Sequence, residues 1–169
     1  MFASWKKIAS LLSVAALLNA SATLAQAQEH QHSHAHEKPA QLTLNNGKKW
    51  GADSNLRQGM SLIRDALSAE LPAIHSGKAT AEQYRALAQK TNDQIAFIVK
   101  NCKMDKKMDA VLHLVLADII AGSDAMMAKD GNDARRGAEK IAQALDNYGT
   151  YFDHPGWHGA AGAHPKAKK

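Results

Sequence analysis

Apolar residues recur at intervals of three and four along most of this chain, which is the spacing of one face of an α-helix. They fall into four segments separated by short polar or glycine-containing connections. The first segment runs from about residue 54 to residue 71, and its apolar face consists of Leu56, Met60, Ile63, Leu67 and Leu71. Pro72 and Gly77 are expected to end this helix, because proline and glycine both disfavour its continuation.

The other three segments carry their own start signals. Thr80 and Gln83 form a capping-box pattern that opens the second helix, whose apolar face ends at Cys102. Asp105 is the predicted N-cap of the third helix, and the fourth spans about residues 133 to 152. Because the connections are short, the pattern predicts an all-α protein, an up-down-up-down four-helix bundle over residues 54–153.

The N-terminal region reads as an export signal followed by a polar leader. Lys6 and Lys7 precede an apolar run from Ile8 to Leu18, and residues 25–27 form a small-x-small cleavage site. We therefore expect residues 1–27 to be a signal peptide that directs export to a bacterial periplasm. The apolar run is too short to cross a bilayer, so no membrane span is expected after cleavage.

Three further segments are predicted around the bundle. Residues 28–37 form a disordered His-rich tail, and residues 38–53 form an extended lead-in that crosses the bundle through Leu42, Leu44 and Trp50. Residues 154–169 are expected to form a flexible C-terminal tail.

Charge and cysteine content exclude two classes of protein. The 21 basic residues include Lys6 and Lys7 of the leader, so 19 remain against 16 acidic residues, a balance of +3. No helix has a sustained basic face, which argues against nucleic acid as a partner. Cys102 is the single cysteine, so no internal disulfide can form, and a lone thiol in an oxidising compartment requires an explanation.

The densest local signal for metal binding is a run of alternating histidines. The segment QEHQHSHAHEK has four imidazoles, at His30, His32, His34 and His36. Such a segment can chelate copper, zinc or nickel without a fixed geometry. The alternative is a solvated linker whose histidines bind nothing.

Bundle topology predicts a second group of metal donors. The start of the first helix, the end of the second, the start of the third and the end of the fourth share one pole. That pole should collect soft donors and imidazoles: Met60, Cys102, Met104, Met108, His113, His154 and His158. Thioether, thiolate and imidazole together suit copper first. Core packing is the alternative for the sulfur residues, and His113 is predicted to be a core histidine.

Catalytic motifs are not found. The chain has no nucleophile elbow, no phosphate-binding glycine loop, no HExxH motif and no helix-spaced Glu-x-x-His pairs. It also has no CxxCH, the attachment motif of c-type haem. The prediction is a protein that is not an enzyme.

Two stretches resemble parts of known haem bundles. LRQGMSLIRDAL at the front and NYGTYFDHPGWH at the back are similar to the cytochrome b562 and cytochrome c′ four-helix bundles. The b562 resemblance implies a non-covalent haem b held by Met60 and His154. The chain departs from that family at Pro155, which ends the helix early, and at Cys102. The whole mature chain also looks like small exported proteins labelled DnrO in denitrifying proteobacteria, which implies a setting in nitrogen-oxide respiration.

Three hypotheses for function follow. The first is a periplasmic, non-catalytic copper-binding protein with a capture tail and a Met/Cys/His pole, serving a redox or metal-delivery partner. The alternatives are a b-type haem electron carrier that uses Met60 and His154, and a partner-binding scaffold in nitrogen-oxide respiration.

Overall fold

The four predicted helices are present and pack as an up-down-up-down bundle. The computed structural model describes residues 41–128 and 130–160. Its helices are α1 (Ser54–His75), α2 (Ala81–Asn101), α3 (Lys106–Met126) and α4 (Gly131–Tyr151). Each helix packs against the next along the chain, and α1 also contacts α4. The predicted signal peptide and His-rich tail lie outside the described residues.

Local side-chain hydrogen bonds define where the helices begin. The Thr80 hydroxyl accepts the Gln83 N–H at 3.2 Å while the Gln83 side chain accepts the Thr80 N–H at 2.9 Å, so the predicted capping box is confirmed. Asp105 accepts the N–H groups of Lys107 and Met108, at 2.9 and 3.1 Å, and is the predicted N-cap of α3. These contacts satisfy N–H groups that have no partner inside the helix.

The first helix ends four residues later than the sequence predicted. Pro72 lies inside α1, which continues to His75. Proline removes one hydrogen bond near the end of the helix, and the continuation is favoured because the next turn buries Ile74, which is 1 % exposed. Gly77, with φ of +69°, then supplies the left-handed residue that terminates the helix.

The core is formed by the predicted apolar faces, and two glycines set the contact between α3 and α4. A Cβ atom added to Gly122 would lie 2.6 Å from the Gly137 carbonyl oxygen, and one added to Gly137 would collide with the Gly122 carbonyl. The backbones of the two helices therefore touch directly at this point. Met126, next to this contact, is buried, whereas Met127 is 49 % exposed.

The lead-in forms a turn and a short strand, where the sequence predicted an extended arm. Asn46 and Gly47 have positive φ values of 50° and 80°, and Asn45 bridges to Lys48. This is the type of tight turn that an Asn-Gly pair favours. The strand β1 (Trp50–Gly51) then pairs in parallel with β2 (Phe152–Asp153), which follows α4 directly.

The segment after β2 packs on the bundle, so the predicted flexible C-terminal tail does not begin at residue 154. Ala160 is 4 % exposed, and its carbonyl accepts a hydrogen bond from the Ser68 hydroxyl at 2.7 Å. Trp157 lies on Gly149, where any side chain would collide with the indole ring. Burial of apolar surface and this close contact hold the segment in place.

Hydropathy along the helices is moderate. In the part of the chain that the structure describes, no helix combines the length and apolar character needed to cross a membrane.

Candidate metal centre

Cys102 lies at the pole where α1 begins and α2 ends. It is the C-cap residue of α2, and its thiol donates to the Asp53 carboxylate, with Sγ 3.6 Å from Oδ1. The same carboxylate accepts the Leu56 N–H at 2.7 Å and the Lys103 N–H at 3.2 Å. Asp53 therefore caps α1 and ties the end of α2 to it through the thiol and the adjacent backbone.

The pKa values of the two acidic groups in this contact, the Cys102 thiol and the Asp53 carboxyl, shift in opposite directions. Burial raises the pKa of the Cys102 thiol to about 12, and the negative charge of Asp53 adds to that effect. Burial opposes ionisation of Asp53 as well, but hydrogen bonds from Leu56 and Lys103 hold the pKa of its carboxyl below its ordinary value. Asp53 therefore carries the negative charge, and Cys102 is a neutral thiol at physiological pH.

A pocket of about 280 Å³ lies between the end of α2 and the first half of α3. Three of the residues that line it carry donors for soft metals, namely Cys102, Met104 and His113. The lining also includes the apolar residues Ile98, Leu112 and Leu116. The fold therefore places a thiol, a thioether and an imidazole on the lining of one pocket.

His113 is on the surface, contrary to the prediction of a core histidine. Its side chain is 68 % exposed, because it lies on α3 about 100° around the axis from the buried Leu112. Nδ1 lies 2.9 Å from the backbone carbonyl oxygen of Asp109 and 3.3 Å from its carboxylate. A carbonyl oxygen can only accept, so Nδ1 carries the proton and Nε2 is left as the nitrogen with a lone pair.

Two of the three methionines that the sequence placed at the pole are core residues. Met60 is fully buried in α1 and Met108 is 7 % exposed in α3. Packing accounts for both side chains, and neither lines the pocket that contains Cys102. Their role as ligands stays a prediction.

His154 follows β2 and belongs to a different cluster, with neighbours on α1 and α4. Nδ1 lies 3.0 Å from the Tyr148 hydroxyl, and Nε2 lies 3.5 Å from the Ser61 hydroxyl. Its ring also packs against Trp157, with centroids 4.8 Å apart. Burial lowers the pKa of His154, and the positive charges of Arg57 and Arg64 lower it further, so the ring is neutral. In the neutral ring one of these two nitrogens donates and the other accepts, and each hydroxyl can take either role.

This arrangement bears on the haem hypothesis. Both ring nitrogens of His154 have polar neighbours, and Met60 is enclosed by the core. Ligation of haem iron by this pair would require His154 to give up one of its hydrogen bonds and the core to open at Met60. The haem assignment stays a prediction.

The sequence did not single out His113 as a ligand and placed Met104 only in the general group at the pole. A signal was present, since Asp109 and His113 are four residues apart on one helix and can pair. Across residues 41–128 and 130–160, no three His, Cys, Asp or Glu side chains form a group that could hold a metal ion. The set in the pocket differs from such a group because one of its donors is a thioether.

Comparison with known proteins adds no assignment. No family model, no curated protein and no solved structure matches this chain.

Proposed function

We propose that this is an exported protein that binds a transition metal, copper first, without catalysing a reaction. The observation that carries the proposal is that Cys102, Met104 and His113 line one pocket at the junction of α2 and α3. Thiolate, thioether and imidazole are the ligands that copper proteins use, and hard cations such as Mg²⁺ prefer oxygen.

The histidine-rich segment has a separate role in this proposal. His30, His32, His34 and His36 capture the ion, because a run of imidazoles binds copper, zinc or nickel with little selectivity. The pocket on the bundle then holds it more selectively. The export signal and the resemblance to DnrO-labelled proteins favour a periplasmic setting in nitrogen-oxide respiration, in which a redox or metal-delivery partner exchanges the metal.

The test begins with protein purified from a periplasm without added metal. We expect no Soret band, copper in the metal analysis, and a weak d–d absorption band when Cu(II) is added. A variant with all four tail histidines replaced by Asn serves as the matched comparison, since chain length and hydrophilicity are retained. It should lose most Cu(II) absorption while its helicity is unchanged.

Two outcomes would contradict the proposal. A Soret band that persists through purification would favour the haem carrier. Failure of both the wild-type and the variant to bind copper in either oxidation state would leave the scaffold hypothesis.

A further inference from the structure

We infer that the pocket between α2 and α3 is a Cu(I) site whose ligands are Cys102 Sγ, Met104 Sδ and His113 Nε2. The inference rests on the proposed copper function and deepens it, since it names the ligands and the oxidation state. It replaces Met60, Met108 and His154 by His113 and by Met104, which the sequence had also placed at this pole.

The donor set selects the oxidation state of the metal. Two sulfur donors and one imidazole are a soft set, which favours Cu(I) over Zn(II) and over the square-planar nitrogen and oxygen ligation of Cu(II). Zinc sites are built from thiolate, imidazole and carboxylate ligands, so the thioether of Met104 favours copper. Ile98, Leu112 and Leu116 line part of the pocket, and Asp109 lines it as well.

Asp109 prepares His113 for this role. Histidines that bind metals commonly donate their second ring N–H to a carboxylate or a backbone carbonyl, which fixes the tautomer and the ring orientation. Nδ1 of His113 has both kinds of partner on Asp109, at 2.9 and 3.3 Å. Asp109 is therefore a positioning residue, and Nε2 is the nitrogen that binds.

Met104 is the donor that can adjust to the ion. It lies in the connection between α2 and α3, and its side chain is only partly buried against the core. An unbranched thioether on a connection can reorient without disturbing either helix. The pocket, at about 280 Å³, is much larger than a metal ion, so the site requires such an adjustable ligand.

Binding exchanges one proton for one metal ion. The Cys102 S–H bond breaks, an S–Cu bond forms, and the proton leaves to solvent, while copper remains Cu(I) throughout. The thiol then no longer donates to Asp53, whose carboxylate keeps its hydrogen bonds from Leu56 and Lys103.

The experiment measures Cu(I) affinity in the full exported chain. The background has the four tail histidines replaced by Asn, so that only the bundle can bind. Cu(I) is supplied anaerobically with ascorbate and competed against bicinchoninate, a chromophoric Cu(I) chelator. The test variants are Cys102→Ser, Met104→Leu, His113→Gln and Asp109→Asn. The matched controls are Met127→Leu and His75→Gln, at exposed positions away from the pocket.

Each variant has its own expected loss. Asp109→Asn should weaken Cu(I) binding by about 10-fold, the lower end of the effect of removing an outer-shell partner. Met104→Leu and His113→Gln should weaken it by at least as much, and Cys102→Ser by the most, while both controls match the background. Circular dichroism on every variant separates loss of a ligand from loss of the fold. In the unsubstituted site, Cu(I) should protect Cys102 from alkylation, and X-ray absorption should find two sulfur scatterers.

The outcomes also separate this inference from the proposed function. If Cys102→Ser is the one variant that weakens Cu(I) binding, the thiol binds without Met104 and His113, and the three-ligand site is wrong. If no pocket variant differs from the background in Cu(I) affinity, but the chain with its tail histidines takes up Cu(II), the pocket is not a copper site. The copper function then rests on the tail alone. If the unsubstituted chain binds no copper, both fail.

Discussion

Replacing Asp53 by Asn should raise the reactivity of Cys102 without unfolding the start of α1. Asn and Asp are equally good N-caps, so the hydrogen bond to the Leu56 N–H is expected to persist. The change removes the negative charge that lies next to the thiol, with Sγ and Oδ1 3.6 Å apart. We therefore expect the pKa of Cys102 to fall from about 12 towards that of an ordinary thiol.

The size of the effect follows from the fraction of thiolate. A thiol with a pKa of about 12 is ionised in about one molecule in 10⁴ at pH 8. Each unit of decrease in the pKa raises that fraction tenfold, but the weaker basicity lowers the intrinsic nucleophilicity by about threefold. The net gain in alkylation rate is about threefold per unit. Burial, the larger cause of the shift, is unchanged, so recovery to the rate of a free thiol is not expected.

The assay is the rate of alkylation by iodoacetamide as a function of pH in apo protein. In wild-type protein the rate should rise about tenfold per pH unit up to pH 10, since the pKa lies above that range. Asp130→Asn, the same substitution at the N-cap of α4, is the control and should leave the rate unchanged. A wild-type profile that levels off near pH 8.5, or equal rates in wild-type and Asp53→Asn, would refute the reasoning.

Three further predictions concern packing, pH and the tail. Gly137→Ala should lower the free energy of unfolding by about 1–3 kcal/mol, because the added Cβ collides with the backbone of α3. Gly131→Ala, where nothing lies within 4 Å of the added Cβ, should stabilise the protein slightly. Urea denaturation compares the two variants, and equal midpoints would contradict the close contact between α3 and α4. The lowered pKa of His154 means that the unfolded chain takes up this proton first, so the free energy of unfolding should fall as the pH drops below about 6.5 and level off below the folded pKa. His154→Gln should reduce that slope in denaturation series between pH 7 and 5, and an unchanged slope would exclude His154 as its source. Deleting residues 28–37 should remove most Cu(II) or Zn(II) uptake. The melting temperature should change little, because a polar segment buries little apolar area. A large drop in the melting temperature would show that the segment is part of the fold.

The helices could be predicted from the sequence because their determinants are local. Apolar spacing defines the buried faces, and the hydrogen bonds of Thr80, Gln83 and Asp105 join residues two or three positions apart. The exposure of His113 could also have been predicted from the sequence, because a residue 100° from Leu112 on the side away from Val111 faces outwards. The sequence therefore determined four helices, the bundle topology and the pole that contains Cys102.

The candidate site itself was decided by tertiary structure. Asp53 and Cys102 are separated by 49 positions, and β1 pairs with a strand 102 residues later at Trp50 and Phe152. These contacts depend on how far each helix is rotated and shifted against its neighbours, which periodicity does not specify. The same rotation places His154 against Tyr148 and Ser61, and His154 does not line the pocket that contains Cys102. Composition and spacing determine which residues gather at one pole, whereas the packing of side chains determines which of them share a pocket.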